Sequence, residues 1–370
     1  MMRRWLILLW LALLLIPAAG LFGAHERSSA QENRVLAQPP ALPSTLEAWL
    51  ELPRATDAFV RDQFGLRAKM IRANNRIRKS LGETSPVTQV VVGREGFLLL
   101  REGLSISFGQ EVNPDQVART ATLVCEMRRR LAARNVRFVY TVAPATTTIY
   151  PEAAPEWLGE PQAPMNYDLL MREVRACGVN TLDLRPVLLA EKAQHRVYRL
   201  TDTHWSQRGA LTAFNAIVTE LDRPDLYLDP AHLQWRVREF TEGDLTRMSG
   251  AVDVPPEAVE IIVFPSTQPV SQVMLPTPNS LANMQSYVRD YGREGASVLI
   301  IGDSFAAGFF PSYLAQTARR VSFTHHRRCE FDWSIVDRAA PDVVIFMPTE
   351  RAATCPLRAW PQTFPRENAQ

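Results

Sequence analysis

The chain has almost no excess of charge of either sign: 41 lysines and arginines stand against 39 aspartates and glutamates in 370 residues. A surface built to hold a polyanion needs a basic excess, so nucleic acid is not an expected partner. Cys-x-x-Cys spacing is missing as well, and the four cysteines, Cys125, Cys177, Cys329 and Cys355, therefore do not suggest zinc. No metal and no cofactor are called for. What is present is apolar material: hydrophobic residues make up 46% of the chain, enough for the core of one large or two modest domains.

Arg3 and Arg4 precede an almost purely apolar run from Trp5 to Ala24, after which His25-Glu26-Arg27-Ser28-Ser29 is polar. Positive charge ahead of such a run describes either a cleaved secretory signal or an uncleaved anchor with the body outside. Pro17, Gly20 and Gly23 interrupt the second half, and the small residues near Ala18-Ala19-Gly20 and at Ala30 allow cleavage. In either case the protein is exported, and in an oxidising compartment an even number of cysteines implies disulfides. Of the three possible pairings, Cys125 with Cys177 and Cys329 with Cys355 join neighbouring parts of the chain; free buried thiols are the alternative.

Residues 1–24 are thus a signal peptide or signal anchor, and residues 25–43, with Pro39-Pro40-Ala41-Leu42-Pro43, form a linker. From Ser44 the pattern is helical: Leu46, Trp49 and Leu50 share a face. After Pro53 a second stretch runs through Phe59, Phe64, Met70 and Ile77, with Arg67, Arg72, Arg76 and Arg78 mostly opposite. Val87–Val92 and Phe97–Leu100 flank Gly93-Arg94-Glu95-Gly96 as a hairpin would.

A helix over Asn113–Arg134 then leads to a strand at Val136–Val142, a helix through Leu169 and Val174, and a strand at Val179–Leu184. The rhythm returns with Val298–Ile301, a helix to about Thr317, Val321–Thr324, a helix near Ile335 and Val343–Met347. Strand, helix and strand at this spacing imply parallel pairing with right-handed crossovers. The expected fold is α/β: a three-layer sandwich about a mainly parallel sheet of some five strands, with a helical N-terminal extension. The main domain takes residues 44–360, with a less regular, proline-rich elaboration at 222–295 and a tail at 361–370.

Reactive groups in such a sheet gather outside the carboxyl ends of the strands. Gly302-Asp303-Ser304-Phe305 lies there, between an apolar strand and the start of a helix, so Ser304 has its hydroxyl at the strand end and its N–H at a helix N-terminus. Thr201-Asp202-Thr203-His204-Trp205-Ser206 is the second such stretch. It follows the strand-like Val197-Tyr198-Arg199-Leu200 and precedes a helix carrying Leu211, Phe214, Ile217 and Leu221, for which Ser206 is a fitting N-cap. Two residues apart in an extended segment, Asp202 and His204 would face the same side, as orienting acid and base for Ser304.

Asp202-Thr203-His204-Trp205 with Gly209, and then Gly302-Asp303-Ser304-Phe305, resemble the signature of the alginate O-acetyltransferase family of the AlgJ and AlgX type, a branch of the SGNH-hydrolase superfamily. Asp62–Arg67 with Asn74-Asn75-Arg76, Val92–Leu98, Ile149-Tyr150-Pro151-Glu152 and Glu350-Arg351 are similar too. The resemblance implies transfer of acetyl groups to hydroxyls of an exported, alginate-like polysaccharide in the periplasm. Ser304 would be the nucleophile, His204 the base and Asp202 the orienter.

It also implies partners: a membrane-bound O-acyltransferase as acetyl supplier, and other polymer-export proteins. The order is permuted relative to ordinary SGNH hydrolases, where serine comes first, and the spacing here is Asp-x-His rather than Asp-x-x-His. Ala145-Thr146 stands where the family often has a polar or basic pair, and the stretch after Arg351 is too short for a carbohydrate-binding module.

The usual oxyanion-hole Gly and Asn have no clear match, which leaves Arg351, Asn283 and Trp205 as candidates for oxyanion or substrate contacts. Two other functions fit the sequence. The same three residues would make an acetyl esterase if water reached the acyl-enzyme. A non-catalytic polysaccharide-binding scaffold could use Trp157, Trp235, Trp333 and Trp360 as stacking platforms, although packing is the commoner role of tryptophan.

Overall fold

The computed structural model describes residues 34–65, 89–241, 243–249, 255–277 and 284–356 in continuous runs, with isolated positions among residues 20–29 and 67–77. Nearly all of the apolar run from Trp5 to Ala24, much of the second N-terminal stretch and the tail at 361–370 lie outside the described residues. Among the described residues no helix is long and apolar enough to cross a membrane. The chain divides into two compact units, Met1–Val91 with Asp244–Val254, and Val92–Gly243 with Pro255–Gln370.

In the first unit, helix α1 spans Leu46–Gln63 and is capped by Thr45, whose side chain accepts from the Ala48 N–H. The sequence predicts a break at Pro53. The helix instead runs through it, although Pro53 lies beyond the first turn and has no N–H to give to the Trp49 carbonyl. Part of the expected linker is folded onto this helix: Ala37 donates its N–H to Asp62 at 2.8 Å, Gln63 donates to the Ala37 and Glu26 carbonyls, and Leu36 is buried.

The second unit is built on a seven-stranded sheet. In chain order its strands are β1 (Arg137–Thr141), β2 (Thr181–Leu182), β3 (Ser271–Met274), β4 (Tyr287–Asp290), β5 (Ser297–Gly302), β6 (Arg320–His325) and β7 (Val343–Met347). They lie in the spatial order β2-β1-β7-β5-β6-β4-β3. The first five in that order are parallel, as expected, and β4 and β3 add an antiparallel edge. β5 and β7 are buried along their whole length, which explains their unbroken apolar sequences. Only part of the proline-rich block joins the sheet; Trp235–Phe240 and Glu257–Ile262 form a separate antiparallel pair. The Gly93–Gly96 turn is closed by the Gly93 N–H on the Phe97 carbonyl at 2.8 Å.

Five helices cover the sheet: α2 (Pro114–Ala132), α3 (Asn166–Ala176), α4 (Gln207–Glu220), α5 (Ser304–Thr317) and α6 (Ser334–Ala339). Val124, Met127 and Leu131 of α2, Leu170 and Val174 of α3, and Val336 of α6 pack with Tyr140, Leu299, Ile301, Val344 and Phe346 in one core. Side chains alternate along a strand, so Val298 and Ile300 of β5 point to the opposite face. There α5 packs on β5 and β6, with α4 against it through Phe214, Phe310 and Tyr313. Three layers result, as the sequence rhythm implies.

Both favoured disulfides are present. Cys125–Cys177 links α2 to the end of α3 with 6.0 Å between Cα atoms, and Cys329–Cys355 joins the loops after β6 and β7 with 5.6 Å. The first closes a separation of 52 residues. Loop-closure entropy puts its contribution at about 4 kcal/mol. Replacing Cys125 and Cys177 together by alanine is expected to lower Tm by roughly 5–7 °C, measured by thermal denaturation against the unaltered protein without reductant.

Candidate active site

Strands β1, β7 and β5 lie side by side, and the segments leaving their carboxyl ends build the site. The turn after β5 is fixed by Asp303, the N-cap of α5. Its Oδ1 accepts from the Phe305 N–H at 3.0 Å, and its Oδ2 accepts from the Thr349 N–H at 2.8 Å and lies 3.3 Å from His326 Nε2. Burial pushes the Asp303 carboxyl up. The His326 hydrogen bond and charge, Arg351 and the Thr349 N–H outweigh it and hold the group well below the usual carboxylate range. Asp303 is therefore a structural anion joining the ends of three strands. Gly302 permits the sharp turn: a Cβ there would stand 2.8 Å from the Ala306 Cβ and 3.2 Å from the Met347 carbonyl oxygen. Ser304 follows as the first residue of α5, half-buried.

The second segment is held by its flanks. Ser206 caps α4 by accepting from the Gly209 N–H at 3.2 Å, donates its own hydroxyl to the Arg196 carbonyl at 2.8 Å, and gives its N–H to Val197. A Cβ at Gly209 would collide with the Val197 carbonyl, so the helix lies against the incoming chain. The predicted strand at Val197–Leu200 is reduced to a single bridge, Tyr198 with Trp205, because the chain reverses between them. Asp202 and His204 do not meet by strand alternation. They meet in a side-chain-closed turn, in which Asp202 Oδ1 accepts from the His204 N–H at 3.0 Å and lies 2.6 Å from His204 Nδ1.

Burial drives the Asp202 carboxyl up; the His204 hydrogen bond and charge, with Arg199, reverse this and bring it down to about 2. Asp202 is thus a carboxylate throughout the neutral range. A carboxylate on Nδ1 places that nitrogen's proton there and leaves Nε2 as the imidazole's basic atom.

Aromatic packing joins the two segments. The His204 ring lies 4.9 Å from the ring of Phe305, the residue after Ser304, and Trp205 sits 5.2 Å from Phe305 and 5.8 Å from Phe310. Trp205 is wholly buried in this cluster, so its place is packing, not contact with a substrate. The Arg351 guanidinium stands 5.7 Å from the Phe305 ring centroid and stays beside the Ser304 turn. Asn283 lies outside the described residues. Among the proposed stacking tryptophans, Trp333 is buried, Trp235 lies under the Arg208 guanidinium at 3.6 Å, Trp157 is exposed, and Trp360 is outside the described residues.

Residues 90–325, which include Asp202, His204 and Ser304, match the family model described as SGNH hydrolase-like domain, acetyltransferase AlgX. The chain belongs to that family. Among curated relatives, the probable alginate O-acetylase AlgJ of Pseudomonas aeruginosa is 32% identical over 146 residues, covering 38% of this chain and 35% of that protein. The protein of the same description from Azotobacter vinelandii is 23% identical over 268 residues, covering 72% and 63%. The match spans less than two thirds of either relative's length. The solved structure of Bacillus cereus PatB1 superposes with a TM-score of 0.55 at 13% identity, over 72% of this chain and 97% of that one, and so shares this chain's fold.

The role of Asp303, and the bonds that Thr349 and Glu350 make, are what the sequence leaves hidden. Glu350 is buried, and its Oε2 accepts from the Ala145 N–H at 2.7 Å and from the Thr148 hydroxyl at 2.6 Å. Burial raises its pKa despite those two donors. Its sequence signal is the Glu350-Arg351 pair after the last apolar strand, which says nothing of its bonds to Ala145 and Thr148.

Proposed function

We propose that the protein is an O-acetyltransferase that carries an acetyl group on Ser304 from an acetyl ester to a hydroxyl of an exported, alginate-like polysaccharide. The observation that carries this reading is the Asp202–His204 pair, 2.6 Å apart, packed through Phe305 onto the turn that presents Ser304. In the first step the Ser304 Oγ attacks the ester carbonyl while His204 Nε2 takes its proton; the carbon–oxygen bond to the leaving alcohol breaks, and that alcohol receives the proton. In the second step a sugar hydroxyl gives its proton to Nε2 and attacks the acetyl-serine, and Ser304 recovers its hydrogen. The negative tetrahedral oxygen is met by the Ser304 N–H at the start of α5, with Arg351 as the cation beside it.

The relatives described as alginate O-acetylases support a polysaccharide acceptor. The basic, then apolar N-terminus supports export to the periplasm, with retention at the inner membrane if the segment stays uncleaved. A membrane-bound O-acyltransferase is the acetyl supplier this arrangement calls for, with polymer-export proteins as further partners.

The test is incubation of the protein with an activated acetyl ester, with and without an alginate hexasaccharide. The expected result is a Ser304 peptide heavier by one acetyl group, followed by acetylated sugar when the oligosaccharide is present. Free acetate alone in both reactions would replace the transferase reading with an esterase; no acetylated Ser304 would sink both.

A further inference from the structure

The segment leaving β6 holds three consecutive residues with left-handed backbone: Arg327, Arg328 and Cys329, with φ of 49°, 50° and 77°. None of them is glycine. In that region Cβ crowds the following carbonyl oxygen, so a run of three is strained and persists only where its surroundings fix it.

The surroundings fix it four times over. The Arg327 N–H donates to His325 Nδ1 at 2.9 Å, the Arg328 N–H to His326 Nδ1 at 3.1 Å, and the Cys329 N–H to the His326 carbonyl at 2.8 Å. The fourth hold is covalent: buried Cys329 is bonded to buried Cys355 in the segment after β7.

This turn decides where His326 carries its hydrogen. A ring nitrogen that accepts has none, so the Arg328 N–H leaves the hydrogen on Nε2, the atom 3.3 Å from Asp303 Oδ2. With the hydrogen on Nδ1 instead, Nε2 would turn a lone pair toward the carboxylate and repel it. The disulfide ties together the two segments that supply the donors to Asp303 Oδ2. His326 stands three residues before Cys329, and Thr349 six before Cys355.

We propose that Cys329–Cys355 and the left-handed turn it closes are positioning groups for Ser304: they keep His326 in the form that donates to Asp303, and Asp303 holds the turn that presents the serine. The effect on turnover rests on the reading of Ser304 as nucleophile; the state of His326 does not. Cys125–Cys177 is the internal comparison. It closes 52 residues against 26, and so contributes more to stability, yet it links α2 to the end of α3 and holds no donor to Asp303.

The test measures kcat and KM for transfer from an activated acetyl ester to an alginate hexasaccharide, each protein being held well below its Tm. Three variants are compared: Cys329→Ala with Cys355→Ala, Cys125→Ala with Cys177→Ala, and Arg328→Pro. The proline variant keeps both disulfides, removes the N–H on His326 Nδ1 and cannot adopt a positive φ, so it decides the matter even if the first variant does not fold. In parallel, imidazole nitrogen NMR reads the His326 tautomer, its signals identified by their loss in His326→Asn.

The Cys329→Ala/Cys355→Ala and Arg328→Pro proteins are expected to lose about tenfold or more in kcat with KM held within about twofold. The Cys125→Ala/Cys177→Ala protein should keep its kcat within about twofold although its Tm falls further. His326 is expected to hold its hydrogen on Nε2 in the unaltered protein and to lose that preference in the two turn variants. Equal kcat losses in the two disulfide variants, or an unchanged kcat in both turn variants, overturn the proposal; so does a hydrogen on Nδ1 in the unaltered protein. If the tautomer shifts as expected and the unaltered protein never acetylates Ser304, the hold on His326 stands and the transferase reading falls. If Ser304 is acetylated and the tautomer is the same in every variant, the positioning role falls alone.

Discussion

Replacing Ser304 by alanine is expected to lower acetyl transfer by roughly 10⁴- to 10⁶-fold, because loss of the nucleophile removes the covalent route entirely. The structure gives reason to expect this effect without loss of the fold. The turn is held by Asp303, whose carboxylate bonds to Phe305 and Thr349 N–H groups and to His326 and involves no Ser304 side-chain atom. Alanine is also the best residue for a helix, so the start of α5 does not suffer from the change. Steady-state transfer from an activated acetyl ester to an alginate hexasaccharide would be read beside Tm. Activity within tenfold of the unaltered protein, at unchanged Tm, would remove Ser304 from the mechanism.

Those residues were legible in the sequence because their chemistry is local. An apolar run followed by Gly-Asp-Ser and a helical segment can be recognised without knowing what packs against it, and so can an Asp and a His two residues apart. The parallel strands were readable for a similar reason: Val298–Ile301 and Val343–Met347 are apolar throughout because both of their faces are covered. What escaped depends on distant partners. Val197–Leu200 has strand composition, yet the chain reverses at Asp202 and only Tyr198 keeps a strand-like bridge, to Trp205. Pro53 reads as a helix breaker, yet α1 absorbs it. Trp205 reads as a substrate contact or as a packing residue, and the positions of Phe305 and Phe310 decide for the core.

Asp303 teaches the same lesson from the other direction. Beside a serine, an acid suggests catalysis, and Asp303 does have a histidine partner in His326. That histidine leaves the end of β6, and the third bond comes from Thr349 beyond β7, 46 residues after Asp303. Two carboxylate–imidazole pairs therefore stand at one end of the sheet with different work. Asp303–His326 is closed in on all sides and sets the position of Ser304, whereas His204 of the other pair is only partly buried and lies against Phe305.

Asp202→Asn is expected to lower turnover about 10⁴-fold at neutral pH while leaving substrate binding nearly intact. An asparagine can keep the turn by accepting the His204 N–H, but its amide can also donate to Nδ1, which forces the ring proton onto Nε2 and removes the base. The same substitution carries a second, opposite-signed consequence for stability in acid. The Asp202 carboxyl is held down to about 2 in the folded protein. Its contribution, on the order of 2 kcal/mol, is therefore fully present above the ordinary carboxylate pKa near 4 and is lost as pH falls toward 2. Asparagine does not titrate, so the variant should lose less stability than the unaltered protein between pH 5 and pH 2.5. Turnover at pH 7 and Tm at the two acidic pH values together test the assignment. A variant with turnover within tenfold of the unaltered protein, or with an equally steep acid loss, would show that Asp202 neither orients His204 nor depends on it.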